Sequence, residues 1–405
     1  MTTKYSTEVV IIVAFLAGTV LFSGRVPSAQ NSAYSQWTYG PSTRPNFFPI
    51  GVWLQDPSTI QEFKKIGINM FIGFYGSLDQ TSLSAFASGH MPVVPTQNSV
   101  GLKSPQRPWI WGWNQIDEPD NAQPNGHGGY GPCISPSTLV ADYNAIKATD
   151  ALSPVFLNFG RGATLTSYPG RGTCTGNTAY YPKAIAAGDI ILFDIYPVAD
   201  YSGKLELVSQ GVNNLKTWAA QCNCGDKPIW NFIETTPFGG RATPTPAQIQ
   251  AEVWMSLIHG SRGIVYFVDL FSPNFVADGI FRYPTSVQAV TSVDAQITSL
   301  APVLNSTTVT GDVQVSSSAS GVAVDIMEKN YGGSKYVFAV AMANSFTTGT
   351  FTVPGNPTTT VAVLGESRRI AMTGGKFQDR FAGYGVHLYQ FRSGTSSSGG
   401  ASGQP

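Results

Sequence analysis

Two glutamates in this chain close apolar stretches. Glu118 follows Trp109-Ile110-Trp111-Gly112-Trp113-Asn114-Gln115-Ile116 and its neighbour Asp117, and Pro119 then stops the run. Glu234 ends Pro228-Ile229-Trp230-Asn231-Phe232-Ile233, which is otherwise uncharged. A carboxyl at the mouth of a buried strand, beside aromatic rings, has its charged form disfavoured, so its pKa rises toward neutrality. One such acid alone would read as a helix cap or a loop ion pair. Two of them fit one chemistry: cleaving a glycosidic bond takes one carboxyl to protonate the leaving oxygen and a second to attack the anomeric carbon or activate water. Glu118 is the candidate acid/base and Glu234 the candidate nucleophile. Retaining chemistry between them calls for carboxyl carbons about 5–5.5 Å apart.

The elements that must position these acids repeat along the chain. Short apolar runs at 48–54, 69–75, 91–96, 109–116, 154–159, 189–195, 228–233 and 263–268 alternate with helical stretches such as 58–66, Pro136–Thr149, 205–221 and Pro246–His259. Alternation of this kind predicts parallel βα units. Pro136 and Pro246 stand where the first helical turn tolerates proline. Eight such units predict a (β/α)₈ TIM barrel with its chemistry at the C-terminal strand ends. No glycine-rich phosphate-binding turn follows the first strand, as a doubly wound sheet would need. Beyond Pro302 the pattern turns to period two, at 321–327, 335–343, 348–353, 359–364 and 385–391, predicting a small antiparallel β-sandwich-like module. The expected organisation is a signal peptide at 1–29, a lead-in at 30–44, the barrel at 45–301, the module at 302–392 and a disordered Ser/Gly tail at 393–405.

Polar and aromatic residues just past the strands are the candidate substrate contacts. Sugar faces stack on rings, and hydroxyls need planar polar partners. Trp53, Tyr75, Tyr196 and Phe267 are the candidate rings; Gln97, Asn158 and Asp117 are the candidate hydroxyl partners. Trp111 and Trp113 share a face of the fourth strand by period-two counting and read as packing, as does Trp230. The Gly-rich insert 121–135, with His127 and Tyr130, directly follows the acid/base and would wall one end of a cleft.

These residues resemble the large clan of retaining (β/α)₈-barrel glycoside hydrolases, with the acid/base after strand four and the nucleophile after strand seven. Asp117-Glu118-Pro119 is similar to that clan's Asn-Glu-Pro motif, and Phe232-Ile233-Glu234 to its strand-seven end. Asp194-Ile195-Tyr196-Pro197 resembles the strand-six end, and the resemblance implies that the tyrosine bonds the nucleophile. It covers residues 45–300; 377–381 and 386–389 look like the closing part of the modules common in such enzymes. Two departures stand out: Asp117 replaces the asparagine whose amide holds a sugar hydroxyl, and Phe74-Tyr75-Gly76 replaces the basic residue after strand two.

Composition sets the remaining expectations. Lys+Arg and Asp+Glu balance at 24 each, so nothing draws the chain to nucleic acid or an anionic membrane. Lys4 precedes an apolar run at 9–22 and a small-residue stretch ending at Ala29, which predicts a cleaved export signal; an uncleaved anchor is the alternative. Either way a secreted or periplasmic domain is expected, probing poly- or oligosaccharides as a monomer. Four cysteines suit that compartment, with Cys133–Cys174 joining two loops and Cys222–Cys224 forming a strained local bridge. No CxxC or His pair stands at ligand spacing, so neither metal nor cofactor is expected. Asn305-Ser306-Thr307 is a formal glycosylation acceptor. Two rival readings remain compatible with the residues: a carbohydrate-binding barrel without catalysis, and an inverting hydrolase or a polysaccharide lyase with Tyr196 as base.

Overall fold

The computed structural model describes residues 33–237, 241–355 and 358–392. The expected signal peptide and Ser/Gly tail lie outside them.

Eight parallel strands form first: β1 Ile50–Trp53, β2 Met70–Ile72, β3 Val93–Val94, β4 Trp113–Asn114, β5 Val155–Phe159, β6 Ile190–Phe193, β7 Asn231–Glu234 and β8 Ile264–Phe267. They pair in the orders β3-β2-β1-β8-β7 and β4-β5-β6. Parallel bridges Val93–Ile110 and Ile191–Ile229 join the two arcs, so the ring closes. Ile72, Phe156, Leu192, Phe232 and Val265 fill its inside, while Val52, Phe71, Ile233 and Tyr266 alternate outward onto the helices. The fold is a (β/α)₈ barrel, as the alternation predicts.

Helices cover the outside: α1 Ile60–Lys65, α2 Gln80–Ser88, α3 Ser99–Lys103, α4 Pro136–Thr149, α5 Tyr180–Ala184, α6 Pro197–Asp200, α7 Glu206–Cys222, α8 Pro246–His259 and α9 Pro284–Leu304. Side chains at their starts take up main-chain N–H groups that a helix leaves unpaired. Ser135 caps α4 ahead of Pro136, and Thr245 with Gln248 makes a capping box on α8 ahead of Pro246. Helix α7 packs so tightly on β6 that a Cβ at Gly211 would lie 2.1 Å from the Phe193 ring.

The fourth strand departs from the sequence expectation. Gly112 has φ 157°, and a Cβ there would meet the Phe156 ring at 2.5 Å, so only glycine fits. This kink interrupts the alternation. Trp113 packs into the helical layer with its Nε1 on Asp150 at 2.7 Å, whereas Trp111 packs toward the barrel interior, edge-on to Phe47. The two rings therefore do not share a face.

The lead-in closes the barrel floor. The Tyr34 hydroxyl donates to the Arg262 carbonyl at 2.8 Å and accepts from Trp230 Nε1 at 3.0 Å. Asn305 spends its amide on the carbonyls of Pro45 and Phe47, at 2.8 and 2.7 Å, and so ties the stretch just before β1 to the end of α9. The glycosylation acceptor is thus already engaged in the folded chain.

Helix α9 runs through Pro302 to Leu304, so the second module starts slightly later than the composition shift suggests. Its strands are β9 Thr308–Val309, β10 Gln314–Ser317, β11 Val324–Tyr331, β12 Ser334–Ala341, β13 Thr347–Thr352, β14 Thr359–Val363, β15 Arg368–Met372, β16 Lys376–Phe381 and β17 Val386–Arg392. They make two antiparallel sheets, in orders β15-β14-β17-β12-β11-β9 and β10-β13-β16. Val337, Phe351, Val361, Phe377 and Tyr389 are buried in their shared core. Phe338 and Leu388 belong instead to the barrel's outer core, where Phe338 meets Trp254 of α8 at 5.2 Å. β9, β10, β15 and β16 are strands that hydrophobic alternation does not reveal, β15 because Arg368 and Arg369 stand in a half-polar pattern.

Both expected disulfides form, Cys133–Cys174 with Cα atoms 6.1 Å apart and Cys222–Cys224 at 5.2 Å. Gly211→Ala should lower the urea midpoint without changing the m-value, by about 1–3 kcal/mol of overpacking; an unchanged midpoint would contradict this packing of α7 on β6.

Candidate active site

Glu118 sits in the loop after β4 with φ 43°, a backbone region unfavourable to a residue with a side chain. Three bonds hold it there. Its N–H donates to the Asn158 carbonyl at 3.0 Å; its own carbonyl accepts from Asn121 N and from Gln123 Nε2, each at 3.0 Å. Gly160, after β5, leaves room for the carboxyl: a Cβ there would stand 2.6 Å from Glu118 Oε1.

Acids surround this carboxyl. Asp117 accepts from Asn158 Nδ2 at 2.8 Å, and Asp194, after β6, lies within hydrogen-bond reach of the Glu118 carboxyl. Deeper still, buried Asp120 takes the Gly160 N–H and the Tyr181 hydroxyl, at 2.8 and 2.7 Å. Burial first, and then the Asp117 charge, lift Glu118 to about 7. Burial and the same two acids push Asp194 far above the usual carboxylate range. Two carboxyls this close hold a proton between them rather than two charges. Asp117, reachable by solvent but crowded by the walls of the mouth, is also raised, burial outweighing the Asn158 bond.

Glu234 ends β7, on the inner face beside Phe267 of β8. The β6–β7 bridge lies lower, at Ile191 and Ile229. Above it, the Glu234 carboxylate accepts from the main-chain N–H groups of Val198 and Ala199, at 2.5 and 3.0 Å, at the start of α6. Behind it stands Glu252 of α8, fully buried and hydrogen-bonded to Glu234. Burial lifts Glu234 to about 7, against the pull of the Val198, Ala199 and Glu252 bonds. Glu252 is raised well above the usual carboxylate range by burial and by the Glu234 charge. Glu234 is only 1% exposed. Asp200, one turn along α6, is held by Arg161 at 2.9 Å and by Arg241.

The other expected contacts divide. Asn158 joins Asp117 and Glu118 as described. Tyr196 is buried in the barrel top, but its hydroxyl bonds Asp194 instead of Glu234, because Asp194 and Tyr196 point inward from the same side of the β6 extension. Burial and the Asp194 charge raise that hydroxyl far above its ordinary value, the opposite of what a lyase base needs. Phe267 packs on Tyr196 at 4.9 Å. Trp53 is buried edge-on against Phe232 at 5.2 Å. Tyr75 lies at the rim, its hydroxyl on Asp269 at 2.9 Å. Gln97 turns away from the mouth, its amide donating to the Ile146 carbonyl of α4 at 3.2 Å.

Strand-end reasoning points to Asp269 after the eighth run but gives it no role, and it passes over Asp194 and Glu252 as acids of the site. Asp269, held by Tyr75 and by Gln55 Nε2 at 3.3 Å, is lifted by burial to about 7. Asp194 and Asp269 carried a signal, each lying just past an inner strand end. Glu252 carried none beyond being an acid in the apolar stretch Ile249-Gln250-Ala251-Glu252-Val253-Trp254. Among the described residues no group of three or more His, Cys, Asp or Glu could hold a metal ion.

No protein-family model matches this chain, and no curated protein does. Solved structures with a similar course include a glycoside hydrolase family 30 subfamily 8 xylanase, Xyn30A, from Clostridium acetobutylicum, at 11% identity and TM-score 0.42 over 85% of this chain and 96% of that one. An α-amylase from Geobacillus thermoleovorans matches at 10% identity and TM-score 0.43, over 87% and 99%. A GH30 endoxylanase from Clostridium papyrosolvens C71 matches at 9% and 0.44, over 88% and 98%. Likenesses this distant say nothing about bond or sugar.

Gly160→Ala should displace the Glu118 carboxyl, lowering kcat at least tenfold while the melting temperature moves by only a few degrees; full activity would show that the cradle is not needed. The raised carboxyls predict a stability trend. Glu118, Glu234 and Asp269 rise from 4.5, 4.5 and 3.8 to about 7. Folded values above unfolded ones give stability that is complete below pH of about 4 and lost as pH rises through about 7. The melting temperature should fall from pH 5 to pH 8; a rise across that window would contradict the burial of these acids.

Proposed function

We propose that this chain is an exported, monomeric glycoside hydrolase that cleaves β-linked poly- or oligosaccharides with retention. Glu118 is the acid/base and Glu234 the nucleophile. The observation that carries the reading is the Glu118 carboxyl, lifted to about 7 in a solvent-reachable mouth beside Asp194 and Asp117. An acid of that strength keeps its proton near neutral pH and can still give it up.

In the first step a Glu234 oxygen bonds the anomeric carbon, the bond to the leaving oxygen breaks, and Glu118 hands that oxygen its proton. In the second, ionised Glu118 takes a proton from water, the water oxygen bonds the anomeric carbon, and Glu234 leaves. The two main-chain N–H groups on Glu234 favour its ionised form and make it a good leaving group. Glu252 would hold the carboxylate in place from behind.

A second reading follows from the 1% exposure of Glu234 and from the Glu118–Asp194 bond. In it Asp194 partners Glu118, and Glu234 only braces α6. One experiment separates the two. After a panel of 4-nitrophenyl glycosides and β-glycans has found a substrate, Glu118→Ala, Glu234→Ala and Asp194→Ala are assayed with added azide, and the anomer of each product is read by NMR. Glu118→Ala should keep much of its first-step rate on the activated aryl glycoside and be accelerated by azide with retained configuration. Glu234→Ala should lose activity by several orders of magnitude and give the inverted azide. If Asp194→Ala shows that second behaviour and Glu234→Ala stays active, the second reading holds. If none of the three loses activity, both fail.

A further inference from the structure

Past β8 the chain makes a small hairpin that presents two phenylalanines to solvent. Leu270 and Val276 pair in an antiparallel bridge, exchanging N–H···O bonds of 2.9 and 2.8 Å. Phe271 and Phe275 project from it, 46% and 52% exposed, and Tyr75 beside them is 38% exposed. The three rings touch: Tyr75 stands edge-on to Phe275 at 5.8 Å, and Phe275 meets Phe271 at 5.5 Å. Inward from them, Phe271 stacks on Phe267 at 6.1 Å and 12°, and Phe267 meets Tyr196 at 4.9 Å. Tyr196 bonds Asp194, which bonds Glu118. A continuous line of rings therefore runs from the rim to the acids.

Leaving large rings in water sacrifices their burial energy, and a cluster of them marks a surface that something covers. Several features point to carbohydrate as the cover. The rings lead without a break into the acid cluster. The Tyr75 hydroxyl puts one polar group at their edge, which suits a ligand with apolar faces and hydroxyl edges. The bridge at Leu270 and Val276 fixes the hairpin before any ligand arrives, so little ordering entropy is lost on binding.

We propose that Phe271, Phe275 and Tyr75 form a sugar-stacking subsite that takes successive rings of a poly- or oligosaccharide chain and leads it to Glu118. The inference rests on the glycoside hydrolase reading for its ligand, yet its test measures binding and not turnover. Wild type, a Phe271→Ala/Phe275→Ala variant and a Phe346→Ala control are run on native gels containing xylan, barley β-glucan, carboxymethylcellulose or soluble starch. Phe346, 60% exposed on the second module, supplies a ring at least as exposed outside the cluster.

Wild type and the control should be retarded by at least one of these polymers, and the double variant should bind it at least fivefold more weakly with an unchanged melting temperature. Equal retardation of all three proteins, or none of wild type by any polymer, overturns the subsite. So does gel filtration showing a wild-type dimer that the double substitution dissociates, since the rings would then cover each other. Retardation that the double variant loses, without release of reducing sugar by wild type, keeps the subsite and removes the hydrolase.

Discussion

Carboxyl burial with few compensating cations is the constraint on which the top of this barrel depends. Glu118, Asp194, Glu234, Glu252 and Asp269 are all drawn above their ordinary values, with burial the leading cause for each. The position after β2, where the resembled clan often keeps a basic residue, holds Tyr75. Charged forms left unpaired in such a place are costly, and the chain meets the cost by sharing protons. Asp194 bonds Glu118, and Glu252 bonds Glu234. The nearby arginines Arg161 and Arg241 are committed to Asp200. The same electrostatics that raises these acids makes one of them suited to giving up a proton near neutrality.

Backbone geometry makes this crowding possible. The ring closes through two bridges low on the strands, so their C-terminal ends can diverge and admit side chains from the layer behind. Glu252 reaches Glu234 from α8, and the N–H groups of Val198 and Ala199 reach it from the start of α6. Across the mouth, the strained conformation of Glu118 is held by the Asn158 carbonyl and by the loop that Cys133–Cys174 fastens. Asn158 thus serves twice, its carbonyl fixing the Glu118 backbone and its amide the Asp117 side chain.

The second module works as a buttress for this arrangement. Phe338 and Leu388 extend the outer core behind α8, and Tyr384 donates to Glu206 at the start of α7 at 2.7 Å. Helices α7 and α8, which it braces in this way, lie behind the strands that lead to Asp194 and Glu234. Its sheets otherwise pack on each other and leave the mouth to the barrel's own loops.

Much of this was legible in the residues. Alternation of apolar runs and amphipathic stretches determined eight βα units, because each strand must be buried on both faces and each helix on one. Pro136 and Pro246 marked the starts of α4 and α8 to the residue. Loop composition favoured one of the three pairings that four cysteines allow, and the structure forms it. Glu118 and Glu234 stood out because an acid ending an apolar strand needs a reason to be there. Tertiary structure alone decided where side chains point once a strand has ended, since beyond the last ladder bond no period governs direction. Gln97 turned to the helical layer, Tyr196 took Asp194 and not Glu234, and Gly112 set Trp111 and Trp113 on opposite sides. The partners of both glutamates are contacts between distant stretches of chain, Glu118 with Asp194 and Glu234 with Glu252, and they exist only because the barrel has closed around them.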